Sequence, residues 1–146
     1  MKNTYLDYKV FVLPDFHQTN AVVVGENNKH ILIACIHENN AELDVFLEKV
    51  IASAKLNLKT DCLLIKVQDN EPHLAFSSIS AHYPIEKALF FGITPKNLGL
   101  NVDCPSYFTF VLNDCTFLFV DPLSKIINNS DSKKALWNCL QRLFLS

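Results

Sequence analysis

Six apolar residues in a row, Ile31-Leu32-Ile33-Ala34-Cys35-Ile36, constrain the fold more than any other stretch of this chain. Successive side chains of a strand point to opposite faces, so a strand without polar alternation must be covered on both. The run therefore predicts a central strand with structure packed above and below it. The segment after it supplies one such layer. Leu43, Phe46, Leu47, Val50, Ile51 and Ala54 recur at spacings of three and four, which is the stripe of an amphipathic helix. Asn39 is placed to cap that helix, with Glu42 three residues on as its reciprocal partner.

The remaining elements follow from similar patterns. Ala21 to Val24 is β-rich, and Gly25-Glu26-Asn27-Asn28-Lys29 has turn composition, so residues 21–36 predict a hairpin. Asp61 to Val67 and Lys87 to Gly92 are further apolar strands, with a short helix expected between His73 and Ser80. Thr94-Pro95-Lys96-Asn97-Leu98-Gly99 has the form of one capped helical turn, with Pro at its first position and Gly at its end. Asn113-Asp114 between the β-rich runs 107–112 and 115–120 is a strong hairpin signal. Ser130 opens a last helix as its cap, and Leu136, Leu140, Leu143 and Phe144 form its inner stripe. The order predicts one α/β domain over residues 1–146: a three-layer α/β/α sandwich on a central, mostly parallel mixed sheet. Residues 1–20 carry Tyr5, Leu6, Phe11 and Leu13 ahead of Pro14. They read as an edge strand or as an arm that orders on a partner.

Composition narrows the function classes. A net charge of −2 argues against wholesale wrapping of nucleic acid, so direct nucleic-acid binding is expected to be weak or absent. Five cysteines are scattered without a C-x-x-C pair, which suits reduced, buried thiols in a reducing compartment. The start at Met1 lacks a signal-peptide core, and no apolar run reaches membrane-spanning length. A cytoplasmic protein without membrane contact is expected. With three glycines the chain has neither phosphate-cradling Gly motif, and its five histidines show no zinc-binding spacing. No metal and no cofactor are expected, and oligomeric state is left open.

Open α/β sheets bind ligands beyond the carboxyl ends of their strands. Those ends carry His37, Glu38, Asn39 and Asn40, then Gln68, Asp69 and Asn70, then Gly92 to Thr94, and finally Asp121. His37 is the candidate general base, with Asp121 or Asp69 to position water. The plainer reading is that strand ends are polar because loops meet water. Cys35 and His37 share one face of their strand, but Cys35 lies inside the buried run, which disfavours a nucleophile pair. Lys125, Lys133, Lys134 and Arg142 would touch a phosphate backbone or simply solvate a helix face.

Ala88-Leu89-Phe90-Phe91-Gly92, the segment Pro95 to Leu100, the Tyr107-led hairpin, Asp121-Pro122-Leu123-Ser124 and Lys133-Lys134-Ala135-Leu136-Trp137 together resemble the uracil-DNA glycosylase fold superfamily. In that superfamily one strand ends in Gly and a later one in His-Pro-Ser, followed about ten residues on by a lysine and an A-W or A-L-W helix. Asp121-Pro122 stands here in place of His-Pro, and the Gly-rich water-activating motif has no counterpart after residue 36. Within the superfamily the chain is more similar to the non-catalytic psi subunits of bacterial DNA polymerase III. Lys133 or Lys134 with Ala135, Leu136 and Trp137 matches their K/R-x-A-L-W pattern, Ile31 to Asn39 their apolar strand and polar stretch, and Phe11-Val12-Leu13 their aromatic-x-Leu start. The resemblance covers roughly residues 30–144. It implies a replisome adaptor that bridges the clamp loader, through a partner subunit called chi, to a single-stranded-DNA-binding protein. On that reading Tyr5, Leu6, Phe11 and Leu13 belong to a partner-binding arm and no residue is catalytic, while His37, Asn39, Asn40 and Asp121 stay the candidate strand-edge binding residues that the sheet rule picks out. The alternative is a divergent DNA glycosylase of the same fold, with a base-sized pocket lined by Asn39 and Asp121.

Overall fold

The structure is a computed structural model that describes residues 21–36, 40–67, 76–100 and 105–145. Tyr5, Leu6, Phe11, Leu13, His37, Asn39 and Asp69 lie outside the described residues. Six strands form one sheet: β1 (Ala21–Val24), β2 (Ile31–Ile36), β3 (Cys62–Val67), β4 (Lys87–Phe91), β5 (Thr109–Leu112) and β6 (Cys115–Val120). The helices are α1 (Ala41–Ser53), α2 (Phe76–His82), the single turn α3 (Leu123–Ile126) and α4 (Ser130–Phe144). A 3-10 turn spans Pro95–Leu98.

The sheet order is β1-β3-β2-β4-β6-β5. The inner four strands are parallel, and β1 and β5 are antiparallel at the two edges. β2 lies between β3 and β4, as its two-faced apolar sequence requires. Ile31, Ile33 and Cys35 join Leu64, Leu89, Phe91, Leu118 and Val120 in one core, closed by Leu43, Leu47, Val50 and Ile51 of α1 and Leu136, Leu140 and Leu143 of α4. Leu32 and Ala34 face the second core with Ile65, Phe90, Phe117 and Phe119, where Ile79 of α2 and Leu98 of the 3-10 turn pack. Helices thus cover both faces of a mixed sheet.

The expected hairpin over residues 21–36 does not form, because β3 lies between β1 and β2. Parallel partners take both hydrogen-bonding edges of β2, and β1 pairs instead with the free edge of β3. The connecting segment crosses the amino end of β3. Glu26 N–H donates to Lys59 O, Asn27 N–H to Cys62 O, Asn28 N–H to Thr60 O and Lys29 N–H to Asp61 O, at 2.9–3.2 Å. Its turn composition is real, but it serves a crossover. The 113–114 hairpin forms as expected: Asn113 and Asp114 both have positive φ (51° and 64°), as a two-residue hairpin turn demands.

Two caps sit one residue from their expected positions. Asn40, rather than Asn39, caps α1, and its Oδ1 accepts from Glu42 N–H at 2.9 Å. Asn129, rather than Ser130, caps α4, and its Oδ1 accepts from Ser132 N–H at 3.1 Å. An Asx side chain reaches the N–H two or three residues on, and neighbouring Asn and Ser residues compete for that place. The short helix starts at Phe76, within the range expected for it.

Candidate functional site

The parallel strands bring their carboxyl ends to one edge of the sheet, and the chain reverses its winding direction between β2 and β4. Such a switch point is the usual ligand crevice of an open sheet. Of the residues expected at that rim, Asn40, Gly92 to Thr94 and Asp121 are described. Asn40 is the α1 cap. Thr94 forms a capping box with Asn97: Thr94 N–H donates to Asn97 Oδ1 at 2.9 Å, and Asn97 N–H donates to Thr94 Oγ1 at 3.4 Å. Gly92 has φ +76° and lies against Pro122; a Cβ added there would come within 3.0 Å of Pro122 Cγ. The end of β4 is thereby held against the end of β6.

Asp121 is engaged from two sides. Tyr107 Oη donates to its Oδ2 at 3.0 Å, and Lys125 Nζ stands 3.7 Å from its Oδ1, one helical turn on. Tyr107 itself is held in a left-handed conformation, φ +69°. Its N–H donates to Phe119 O at 2.8 Å, and its carbonyl accepts from Cys139 Sγ at 3.1 Å. Burial, and after it the hydrogen bond to Asp121, raise the Tyr107 hydroxyl above its ordinary pKa, so it stays a donor through neutral pH. This is a clamp between the 107 loop, the end of β6 and α4. Tyr107→Phe is expected to lower unfolding free energy by about 1–2 kcal/mol in urea titration, the usual effect of removing one partner of a charge-assisted hydrogen bond.

The described cysteines are free thiols, all of them buried. Burial pushes Cys62 up to about 12 and Cys115 up to about 11. Burial also raises Cys139, opposed by the nearby Arg142 guanidinium. A thiol far above its ordinary value is protonated and inert as a nucleophile. Native protein at pH 8 is therefore expected to leave Cys62 and Cys115 unlabelled by a disulfide reagent until it is unfolded. The sign of the linkage follows. The folded pKa lies above the unfolded one, so these thiols leave stability intact below about pH 9 and lower it as pH rises from there towards 11–12. Among the described residues, no three or more His, Cys, Asp or Glu side chains are gathered to hold a metal ion. No helix among them is long and apolar enough to cross a membrane.

A surface groove among the described residues lies between α1 and α4. A groove of about 410 Å³ runs between these helices, lined by Phe46, Lys49, Val50, Ser53, Lys133, Leu136, Trp137 and Leu140. Trp137 is the only tryptophan of the chain and is 38% exposed there. Lys133 Nζ lies 5.8 Å from the centre of the Phe46 ring, a cation–π distance. The basic residues near the C-terminus are thus used separately: Lys125 on Asp121, Lys133 on Phe46, and Arg142 on Cys139 Sγ at 3.7 Å. Helical periodicity assigns Phe46, Val50, Leu136 and Leu140 to inner faces and so misses the groove. The available signal is in Lys133 and Trp137, which share a helix face with Leu136 and Leu140 but leave it half open.

Fold and surface together define a class: an α/β domain on a mixed sheet, whose described strand-end rim carries helix caps and a clamped carboxylate, and whose described surface includes a largely apolar interhelical groove. No protein-family model matches the chain, and no characterised protein does.

Proposed function

We propose that the protein is a non-catalytic interaction subunit of the bacterial DNA replication machinery, an adaptor resembling the psi subunit and acting at the clamp loader. The observation that carries this reading is the placement of Trp137. Within the Lys133–Trp137 segment on which the resemblance rests, Leu136 is buried in the core while Trp137 stands 38% exposed beside Phe46. A half-exposed tryptophan over an apolar floor has the character of a binding anchor, since aromatic residues dominate interface energetics. The superfamily likeness gains support from two adjacent strand ends. Gly92 follows β4, Asp121-Pro122 follows β6, and Gly92 N–H donates to Val120 O at 2.9 Å. The hydrogen bond and ion pair at Asp121 favour a structural over a water-activating role for that carboxylate.

The test is a photo-crosslinking amino acid placed at position 137 of the full-length protein in its native cells. A crosslink to a clamp-loader or other replisome protein is the expected result. Crosslinks only to proteins outside replication would overturn the reading. In parallel, the purified protein is expected to leave uracil-containing single-stranded DNA intact, and abasic-site formation would replace the adaptor reading with the glycosylase one.

A further inference from the structure

The α1/α4 groove also carries information about the chemistry of its occupant. Its two walls repeat one another. Phe46, Lys49, Val50 and Ser53 on α1, and Lys133, Leu136, Trp137 and Leu140 on α4, each follow the spacing i, i+3, i+4, i+7. Two helices presenting such stripes side by side leave a seat for a third, because ridges on one helix surface fit grooves between its neighbours. The lining is apolar apart from one serine and two lysines, and it contains no acidic residue. Among the described residues neither Lys49 nor Lys133 forms an ion pair, whereas Lys29, Lys66 and Lys125 each meet a carboxylate. In a chain with an acidic excess, two exposed cations without a carboxylate partner, Lys49 and the Phe46-stacked Lys133, select against a basic segment and for an acidic one.

We propose that this groove docks an acidic amphipathic helix of a partner protein. Its apolar stripe would lie on Trp137 and the half-buried Phe46, above a floor of the buried Val50, Leu136 and Leu140, and its carboxylates would pair with Lys49 and Lys133. The inference rests on the interaction-module reading but is independent of which complex the protein serves. An anionic amphiphile such as a fatty acid shares the charge and the apolar character. The groove is open to solvent at Trp137 and Lys133, as a helix seat must be, rather than closed around a chain.

Because Trp137 is the only tryptophan, its emission reports on the groove directly. The full-length protein is titrated with tryptophan-free synthetic helices of about 18 residues, five turns. One carries a Leu/Phe stripe flanked by Glu, a second has every Glu changed to Lys, and a third has its stripe changed to Ser. The Glu-flanked peptide is expected to give a saturable blue shift, and the other two none. The double reversal Lys49→Glu with Lys133→Glu is expected to weaken the Glu-flanked peptide by about tenfold or more and to confer binding of the Lys-flanked one. Circular dichroism checks that this variant folds. If it does not, Lys49→Glu alone is used, and the comparison of peptides on the unaltered protein decides. Equal binding of acidic and basic peptides, no saturable shift with any peptide, or a shift with laurate and none with peptide would each overturn the proposal. Crosslinking of a replisome protein at position 137 alongside any of those results would leave the adaptor reading standing and remove only the acidic-helix assignment.

Discussion

Replacing Phe117 with alanine is expected to cost about 3–5 kcal/mol of unfolding free energy, the upper range for truncating one buried side chain. Phe117 is fully buried at the centre of an aromatic cluster on one face of the sheet. Its ring meets Phe76 edge-on at 4.7 Å and stacks with Phe110 at 5.1 Å and with Phe90 at 6.1 Å. Those partners come from α2, β5 and β4, so one truncation opens a cavity bounded by three elements. Neighbouring rings cannot collapse into it without leaving their own contacts, and incomplete relaxation is what makes large-to-small changes costly. The melting temperature should fall by about 10–15 °C, given the size of the chain. Val111→Ala on the edge strand β5 is the matched control. Val111 is 67% exposed, and its truncation should change stability by no more than about 0.5 kcal/mol. Equal losses for the two variants would show that the aromatic cluster is not the core of this face.

Gly25→Ala is expected to destabilise by about 3 kcal/mol or more, through backbone geometry rather than lost contacts. Gly25 has φ +108°, outside the conformations that L side chains readily adopt, and a Cβ there would lie 2.3 Å from the Cys62 carbonyl oxygen. That obstacle is backbone, so no rotamer change relieves it. The same carbonyl accepts from Asn27 N–H, and the residues around it carry the crossover from β1 to β2. Relief of the overlap must therefore move the loop off the amino end of β3, against several hydrogen bonds. Gly99→Ala separates strain from overlap. Gly99 has φ +76° with nothing within 4 Å of an added Cβ, so only conformational strain of about 1–2 kcal/mol is expected. Urea titration of the two variants measures the difference. A Gly25 variant no less stable than the Gly99 variant would contradict the close approach at β3.

How much of this fold is legible in the sequence depends on whether the deciding interaction is local. The two-faced run 31–36 identifies the central strand, because burial on both sides leaves no room for polar alternation. The α1 stripe, the capped turn at Thr94 and the turn at Asn113-Asp114 are equally readable, since each is specified within one or two turns of chain. Strand pairing is not. Residues 25–29 look like a hairpin loop, and only the competition of β3 and β4 for the edges of β2 shows why they cross over instead. Caps shift by one residue where Asn or Ser stand side by side. At the candidate rim, Asn40 and Asp121 are recognisable as residues that follow strands. Nothing local shows that a helix amide and the Tyr107 hydroxyl, fourteen residues before Asp121, occupy them. The groove is hidden for a similar reason. Periodicity names the face a helix buries, and it cannot tell how far two such faces stand apart.

Adaptor function at the clamp loader is tested most directly by binding of purified clamp-loader complex to immobilised full-length protein. A variant lacking residues 1–20 is measured beside it. Saturable binding by the full-length protein, lost on truncation, is the expected result, and it would locate the contact in the segment bearing Tyr5, Leu6, Phe11 and Leu13. Absence of binding to the clamp loader by the folded full-length protein would contradict the adaptor function.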